Sequence, residues 1–425
     1  MSIKLNAINA HDVAGKTVLV RVDYNVPLKK NGDIWEITND ERIQASLETI
    51  KLLLANKAQI ILMSHLGRPD GKVNPDFSLA PIAKHLGKLL GESVELIENY
   101  WPAKDSQLVS RNSNIVLLEN LRFYPEEEAN DEKFAQFLAS LADIYVNEAF
   151  SASHRAHAST EGVTHFLPSY AGLALINEVT NLGQLMDKPR RPFVMVVGGA
   201  KISDKVDAVV NLTKIADVVL VGGGVANNFL KAEGVNIAGS YVQDAPADAK
   251  KKGVDYVQTA AELLDDTEND RLLLTDQVRV PKIIPPIDVL TGESPEAQTS
   301  EVVELYHDLT PDQLVKSDMF LDIGPKTIAI FKKIIAEAGT IFWNGPMGVF
   351  ENQTFAQGTK TIAEAIANSS AQTILGGGDT LTAIDKFNLK DKYTYVSAAG
   401  GASLEFLSGK MLPGIKPLLS ADDIK

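Results

Sequence analysis

The feature that most limits what this chain can fold into is a repeated grammar. A short, largely apolar run is followed by a cluster of glycine or charged residues, and then by a stretch with helical periodicity. Residues 17–22 (TVLVRV), 59–63 (QIILM), 94–97, 114–118 (NIVLL) and 143–147 (DIYVN) are such runs, and none alternates regularly between apolar and polar. Strands apolar on both sides belong to parallel sheets covered by helices on both faces. Between them the period changes. Arg42 begins a helical pattern with apolar Ile43, Leu47, Ile50, Leu53 and Leu54; residues 79–90 read as a helix closed by Gly91; the acidic segment 126–132 opens a helix over 133–141. Residues 29–39, around Asn31-Gly32, read as a polar loop.

After a helical link over residues 172–186 and a Lys-Pro-Arg-Arg-Pro break at 188–192, the grammar returns. Strands are expected at 193–197, 218–221, 272–275, 319–322, 340–343, 373–375 and 394–396. Their ends carry Gly198-Gly199, Gly222-Gly223-Gly224, Asp276, Gly324-Pro325-Lys326, Asn344-Gly345-Pro346, Gly376-Gly377-Gly378-Asp379-Thr380 and Gly400-Gly401. Ligands of parallel sheets bind outside the carboxyl ends of the strands. The glycine-rich and charged punctuation lies there in both halves, so the expected fold is α/β: two doubly wound, Rossmann-like parallel-sheet domains facing a central cleft. At 425 residues the chain has length enough for two full cores.

The formal charge of −14 argues against a nucleic-acid or anionic-membrane partner. Any anion site must then be a local basic cluster. With no cysteine there is no disulfide, thiolate nucleophile or Cys-ligated metal. The first residues hold no apolar leader core and no run is long enough to span a bilayer, so a cytoplasmic setting is expected.

Such a basic cluster is present. Arg42, His65, Arg68, Arg122, His154, Arg155 and His157 stand next to strand ends or helix starts in the first half. Arginine suits carboxylate and phosphate because its planar fork bonds them bidentately. His154 and His157 have no cysteine or acidic partner at metal-ligand spacing, and no metal is expected there. In the second half VMVVGGAKISDK (194–205) joins a strand, a glycine turn and two lysines four apart. If Ser203 and Asp204 open a helix, Lys201 and Lys205 share a face of its first turn, where cations oppose the dipole unless a polyanion binds. There is no Walker motif, since Ala10 stands where the first glycine before Gly15-Lys16-Thr17 should be, and no G-x-G-x-x-G. Asp379, after three glycines, suits a nucleotide-bound Mg²⁺ or, more plainly, a helix N-cap. A small polyanion on one half and a nucleotide on the other indicate phosphoryl transfer. The lack of a general base beside the arginines fits a carboxylate acceptor, already ionised at pH 7.

RVDYNVP, SHLGRP, LLENLRF, HRAHAS, VVGGAKISDK, GGGVANNF, FWNGPMGVFE and LGGGDT, in this order, closely resemble the phosphoglycerate kinase family. The resemblance runs from Arg21 to about Lys410. It implies transfer of the acyl phosphate of 1,3-bisphosphoglycerate to Mg-ADP, giving 3-phosphoglycerate and ATP, in a hinge-bending monomer. It implies that Asp23, Asn25, Arg42, His65, Arg68, Arg122 and Arg155, with Tyr24, Leu66 and Gly67 of the same motifs, bind the phosphoglycerate. Arg42, Lys205, Gly400 and Gly401 are implied at the transferring phosphoryl group. Gly198, Gly199, Lys201, Lys205, Gly222, Gly223, Gly224, Asn344, Pro346, Glu351, Gly377, Gly378, Asp379 and Thr380 are implied for the nucleotide, with Asp379 the metal ligand. The implied domains are 1–171 with 407–425 for phosphoglycerate and 190–406 for nucleotide, joined by a helix over 172–189. Two segments depart from the family's usual pattern. Glu148-Ala149-Phe150-Ser151 stands where Asp-Ala-Phe-Gly is usual, and Ser397-Ala398-Ala399-Gly400-Gly401 where Ser-Thr-Gly-Gly-Gly is usual. A binding protein without activity, to which the terminal Lys425 points weakly, and another small-acid kinase stay open as alternatives.

Overall fold

The strand Thr17–Arg21 carries apolar side chains to both sides, and both are buried. Val18 and Val20 pack with Ile60, Leu62, Ile115 and Leu117 in one core. Leu19 packs with Ile61, Met63, Val116 and Tyr145 in another. This is the period of two expected of a parallel sheet between helical layers. In the computed structural model, which describes residues 3–32, 34–102, 113–243, 254–306 and 317–420, that sheet has six strands. Their order is Val94–Ile97, Ile115–Leu118, Gln59–Met63, Thr17–Arg21, Ile144–Asn147 and Ser169–Ala171, all parallel. The chain winds one way from Thr17–Arg21 and then the other, so the switch point falls beside Asp23.

A second six-stranded parallel sheet runs Ile283–Ile284, Val218–Val221, Phe193–Val197, Thr340–Asn344, Gln372–Gly376 and Tyr395–Val396. Its switch point lies between Phe193–Val197 and Thr340–Asn344. By packing the chain divides into two compact units: one runs to Thr180 and resumes at Met411, the other runs from Asn181 to Lys410. The change of unit therefore falls inside the helix Leu173–Asp187.

Several expectations need correction. Residues 29–39 are not a loop: Leu28–Asn31 and Ile34–Ile37 form an antiparallel hairpin, with Gly32 in its turn. Gly32 has a φ of +62°, as a tight hairpin turn demands. The run at 272–275 joins no parallel sheet but a two-stranded antiparallel ribbon, Arg271–Leu273 with Arg279–Pro281. The strand Met319–Ile323 belongs to a separate antiparallel sheet with Asp288–Gly292 and Glu301–Glu304. Apolar runs of this length do not reveal their partners. The C-terminal return begins at Met411 rather than Leu407, because Leu407 is buried in the helix Gly401–Leu407, whose last carbonyl accepts from Asn211 Nδ2 at 2.7 Å. From there Gly414 bonds Ser153 and Asn147, and Leu419 bridges Leu5. Lys425 lies outside the described residues.

Glu148, one of the departures, is buried at the start of the connecting helix. Its Oε1 accepts from Thr49 Oγ1 at 2.7 Å and from the Ala174 N–H at 3.1 Å, while the Leu173 N–H donates to Thr49 at 3.0 Å. Oε2 is buried without a partner. A Cβ on Gly172 would lie 1.7 Å from that oxygen, so the neighbouring glycine is what leaves room for the longer acid. Burial pushes the carboxyl up to about 8, and the buried Asp322, which caps the helix Gln357–Ala367 through the Gly358 N–H at 2.6 Å, is pushed up to about 7. A raised carboxyl keeps its proton in the folded state and loses it on unfolding above roughly pH 4.3, so its contribution to stability falls as pH rises toward the folded value. Denaturant midpoints are expected to fall between about pH 5 and about pH 8, and less steeply in E148Q. Equal slopes in the two proteins would mean that Glu148 is ionised in the fold.

Candidate active site

In the unit that runs to Thr180, the site starts where the strand Thr17–Arg21 ends. Asp23 is buried there. Its Oδ2 accepts from Arg42 Nη1 at 2.9 Å and from the Ser151 hydroxyl, and Oδ1 from the Asn25 N–H at 3.0 Å. Arg42 stands in the first turn of the helix Glu41–Ala55, where a cation opposes the dipole. Asp23 supplies the counter-charge and Asn25 O a second acceptor at 3.1 Å. Asn25 Oδ1 in turn accepts from the Gly67 N–H at 2.9 Å, and Arg122 donates to Gly67 O at 2.8 Å. Asp23, Asn25, Arg42, Gly67 and Arg122 thus form one bonded set across adjacent strand ends. Arg68 and Arg155 are exposed, with Arg155 Nε donating to His154 Nε2 at 3.1 Å.

Burial works to raise the Asp23 carboxyl, but Arg42, the Ser151 hydroxyl and the Asn25 N–H together hold it below its ordinary value. Burial pushes His65 the other way, well below the ordinary imidazole range, helped by Arg21, Arg122 and Arg42 and opposed by Asp23. Its Nδ1 accepts from Arg21 Nη2 at 3.1 Å, as a neutral ring can. Arg21 was missed by the sequence reading. It is almost fully buried, bonds Ser159 Oγ at 2.8 Å, and sets the orientation of His65. An arginine closing an otherwise apolar strand was the available signal. Two expected side chains face elsewhere: Tyr24 is buried with its hydroxyl on Ser46 at 2.9 Å, and Leu66 is buried with its backbone held by Asn120. His157 packs against buried Glu127, 3.7 Å from its carboxylate.

In the unit from Asn181, a cavity of about 480 Å³ gathers Lys205, Asn344, Gly377, Gly378, Asp379, Thr380, Gly400 and Gly401. Asp379 is not the N-cap of its helix, Gly378–Lys386; Gly377 is, at a φ of +97° open only to glycine. Asn344 is buried with its Nδ2 unpartnered, and Thr380 Oγ1 accepts from the Gly345 N–H at 2.6 Å. Burial lowers the Lys205 ammonium, opposed by Asp204 and Asp379.

The two lysines do not share a helical face. A 3₁₀ turn, Ile202–Asp204, separates them, and the helix Val206–Thr213 begins only after Lys205. At three residues per turn a spacing of four is rotated away, so Lys201 is exposed and outside the cavity while Lys205 lines it. The glycines also differ from expectation. The N–H groups of Gly198, Gly199, Gly222 and Gly223 donate to Asn344 O, Pro346 O, Val197 O and Met347 O at 2.7–3.0 Å, so they tie strand ends together. Gly224, Pro346 and the exposed Glu351 do not line the cavity.

A profile of the family described as phosphoglycerate kinase matches residues 8–410. The chain belongs to the phosphoglycerate kinase family. It is 46% identical over 414 residues to the phosphoglycerate kinase of Chlorobium luteolum, covering 96% of this chain and 97% of that one. The phosphoglycerate kinase of Pelotomaculum thermopropionicum is 43% identical over 411 residues, covering 96% and 97%. Among solved structures, the phosphoglycerate kinase from Coxiella burnetii aligns with a TM-score of 0.80 at 41% identity, covering 96% of each chain. That from Pyrococcus horikoshii aligns with a TM-score of 0.77 at 32% identity, covering 97% and 98%.

Phosphoglycerate kinase family members use a nucleotide, and the cavity can be tested for the metal that would accompany it. Among the described residues no three His, Cys, Asp or Glu side chains gather into a metal cluster. The cavity is lined by the carboxylates of Asp204, Asp207, Asp379 and Glu405 and by Lys205 and Lys410; of these carboxylates Asp379 stands beside the backbone of Gly377 and Gly378, a place that suits Mg²⁺ carried in on phosphate oxygens.

The second departure lies at this cavity. After the strand Tyr395–Val396 the Ser397 N–H bonds Leu375 O at 2.8 Å, and the Ala399 N–H turns back to Ser397 Oγ at 3.3 Å. Gly400, at a φ of +56°, then starts the helix Gly401–Leu407. Both cavity-lining glycines of the segment are therefore retained. A missing threonine hydroxyl removes at most one donor, about 2.7–4 kcal/mol at full oxyanion-hole strength. Ala398→Thr with Ala399→Gly is expected to change kcat less than about tenfold in a coupled assay. A gain of about a hundredfold would mean that this chain is handicapped at the segment.

Proposed function

We propose that the unit up to Thr180 holds the phosphoglycerate, and the cavity of the other unit the nucleotide phosphates, in an enzyme that passes the acyl phosphate of 1,3-bisphosphoglycerate to ADP. The products are 3-phosphoglycerate and ATP, and the reaction is reversible. The observation that carries this reading is the bonded set at the first switch point. An ionised Asp23 fixes Arg42, with Arg122 tied to the same loops and Arg68 and Arg155 exposed to receive an anion. Two or more guanidinium forks suit a ligand with a phosphate at one end and a carboxylate or acyl phosphate at the other.

No general base is needed. The carboxylate of 3-phosphoglycerate is ionised at pH 7 and can attack directly. His65, held neutral and supplied with a hydrogen bond by Arg21, serves as a hydrogen-bond partner and not as a proton carrier. What the transfer needs is positioning and neutralisation of charge on the moving phosphoryl oxygens. Arg42 supplies this from the phosphoglycerate side. Lys205 supplies it from the nucleotide side, and its partial burial makes its charge count for more than a solvated one. Asn344, Gly377, Gly378 and Thr380 would orient the nucleotide phosphates, and Gly400 and Gly401 would present backbone to the group in flight. Asp379 would hold Mg²⁺, which neutralises charge on the phosphate oxygens when bound. Gly198, Gly199 and Gly222–Gly224 serve instead to shape the nucleoside end. We place the enzyme in the cytoplasm as a monomer without nucleic-acid or membrane partners, in keeping with its charge of −14. Among the described residues no helix is long and apolar enough to cross a membrane.

Arg42→Met is expected to lower kcat by roughly 10³ in an assay with ATP, Mg²⁺ and 3-phosphoglycerate, as for other arginines acting on phosphoryl groups. A variant within a few-fold of wild type would refute the assignment of Arg42. Sites on separate units must also meet for transfer, so phosphoglycerate with nucleotide is expected to compact the protein more than either ligand alone. Small-angle scattering that gives one radius of gyration in all four states would rule closure out.

A further inference from the structure

Ser151 occupies a junction that neither its burial nor its place in the chain requires. It lies in the 3₁₀ turn Phe150–Ala152, just past the carboxyl end of the strand Ile144–Asn147. Its hydroxyl donates to Asp23 Oδ2, the same oxygen that accepts from Arg42 Nη1 at 2.9 Å. Its carbonyl accepts from His154 Nδ1 at 2.8 Å, and the other ring nitrogen of His154 accepts from Arg155 Nε at 3.1 Å. These bonds agree on one tautomer: a neutral ring with its proton on Nδ1 donates to the carbonyl and accepts from the guanidinium. The result is a continuous run, Arg42–Asp23–Ser151–His154–Arg155, with a site arginine at each end and a serine at its middle. A glycine at position 151 would keep the carbonyl half of this run and lose the hydroxyl half.

We propose that Ser151 is a positioning residue for the phosphoglycerate: its hydroxyl holds the Asp23 carboxylate that aims Arg42, while its carbonyl holds the His154 ring that aims Arg155. The inference rests on reading Arg42 and Arg155 as ligands of that substrate. The physical reason for an effect is geometric. Asp23 accepts three donors, from Ser151, Arg42 and the Asn25 N–H, and without the hydroxyl Oδ2 keeps only the arginine. The carboxylate is then less constrained, and it turns more of its charge on Arg42, in competition with the incoming anion. The groups that face Asp23 are His65, Arg42, Ser151 and the Asn25 N–H. Of these the serine can be changed without altering a charge or the backbone.

The test compares S151A and S151G, which lack the hydroxyl, with S151T, which keeps one. Both deletions are expected to raise KM for 3-phosphoglycerate about three- to tenfold, the size of one hydrogen bond to a charged group, and to lower kcat by up to about the same factor because Arg42 also meets the moving phosphoryl group, with KM for ATP within about twofold of wild type. The acid limb of kcat/KM for 3-phosphoglycerate should move to higher pH, because hydroxyl donation favours the ionised carboxylate. S151T should restore both quantities. A simple loss of packing would not move the pH limb and would not be rescued by threonine. The proposal is overturned if the deletions leave KM for 3-phosphoglycerate and the acid limb unchanged while R42M is impaired. If R42M itself retains both its kcat and its affinity for 3-phosphoglycerate, the fault lies in the underlying assignment of the arginines.

Discussion

Each unit is built on a parallel sheet buried on both faces, and that burial decides where chemistry can sit. Side chains of the central strands have no solvent to point into, so Val18, Leu19 and Val20, like Val194 and Val196, are spent on core packing. Polar and charged residues are left the carboxyl ends, where the chain turns and the switch point opens a crevice. Asp23 and Asn25 stand at one such end, and Asn344 at another. Helix first turns bring Arg42 and Asp379 toward the same edges.

Several charges at the strand ends, Arg21, Asp23 and Arg122, are nevertheless buried, and an uncompensated buried charge costs several kcal/mol. The structure answers with networks instead of isolated pairs. Arg21 is shared between Ser159 and His65, Asp23 between Arg42, Ser151 and Asn25, and Glu127 takes both the hydroxyl and the N–H of Ser159. Burial works to raise Glu127, yet His157, Arg21 and Ser159 keep it below its ordinary value. A network of this kind holds its donors in place before any ligand arrives, and that pre-organisation is what a reaction run on charge neutralisation requires.

The two residues of the first unusual segment are explained by such bonds. Glu148 uses its extra methylene to reach the start of the connecting helix and Thr49, in space that Gly172 leaves open. Ser151 adds a donor to Asp23. Each substitution therefore has a partner elsewhere in the chain, at sequence separations that no local pattern reveals.

Much of this protein was legible in its sequence. Most of the unbroken apolar runs with glycine and charge at their ends are parallel strands, and family-specific motifs such as SHLGRP and LGGGDT carried the family. Local chemistry placed Gly91 at a helix end and the arginines beside strand ends. Tertiary structure alone decided which runs paired. The segments near 272 and 319 are as apolar as their neighbours, yet they form antiparallel sheets, because pairing depends on what lies alongside in space. It also decided which candidates line the cavity. Lys201 and Lys205 differ through one intervening 3₁₀ turn, and the glycines at 198, 199, 222 and 223 spend their N–H groups on neighbouring strand ends. Residue type states what a group can do; its partners, set by contacts far apart in the chain, determine what remains for it to do.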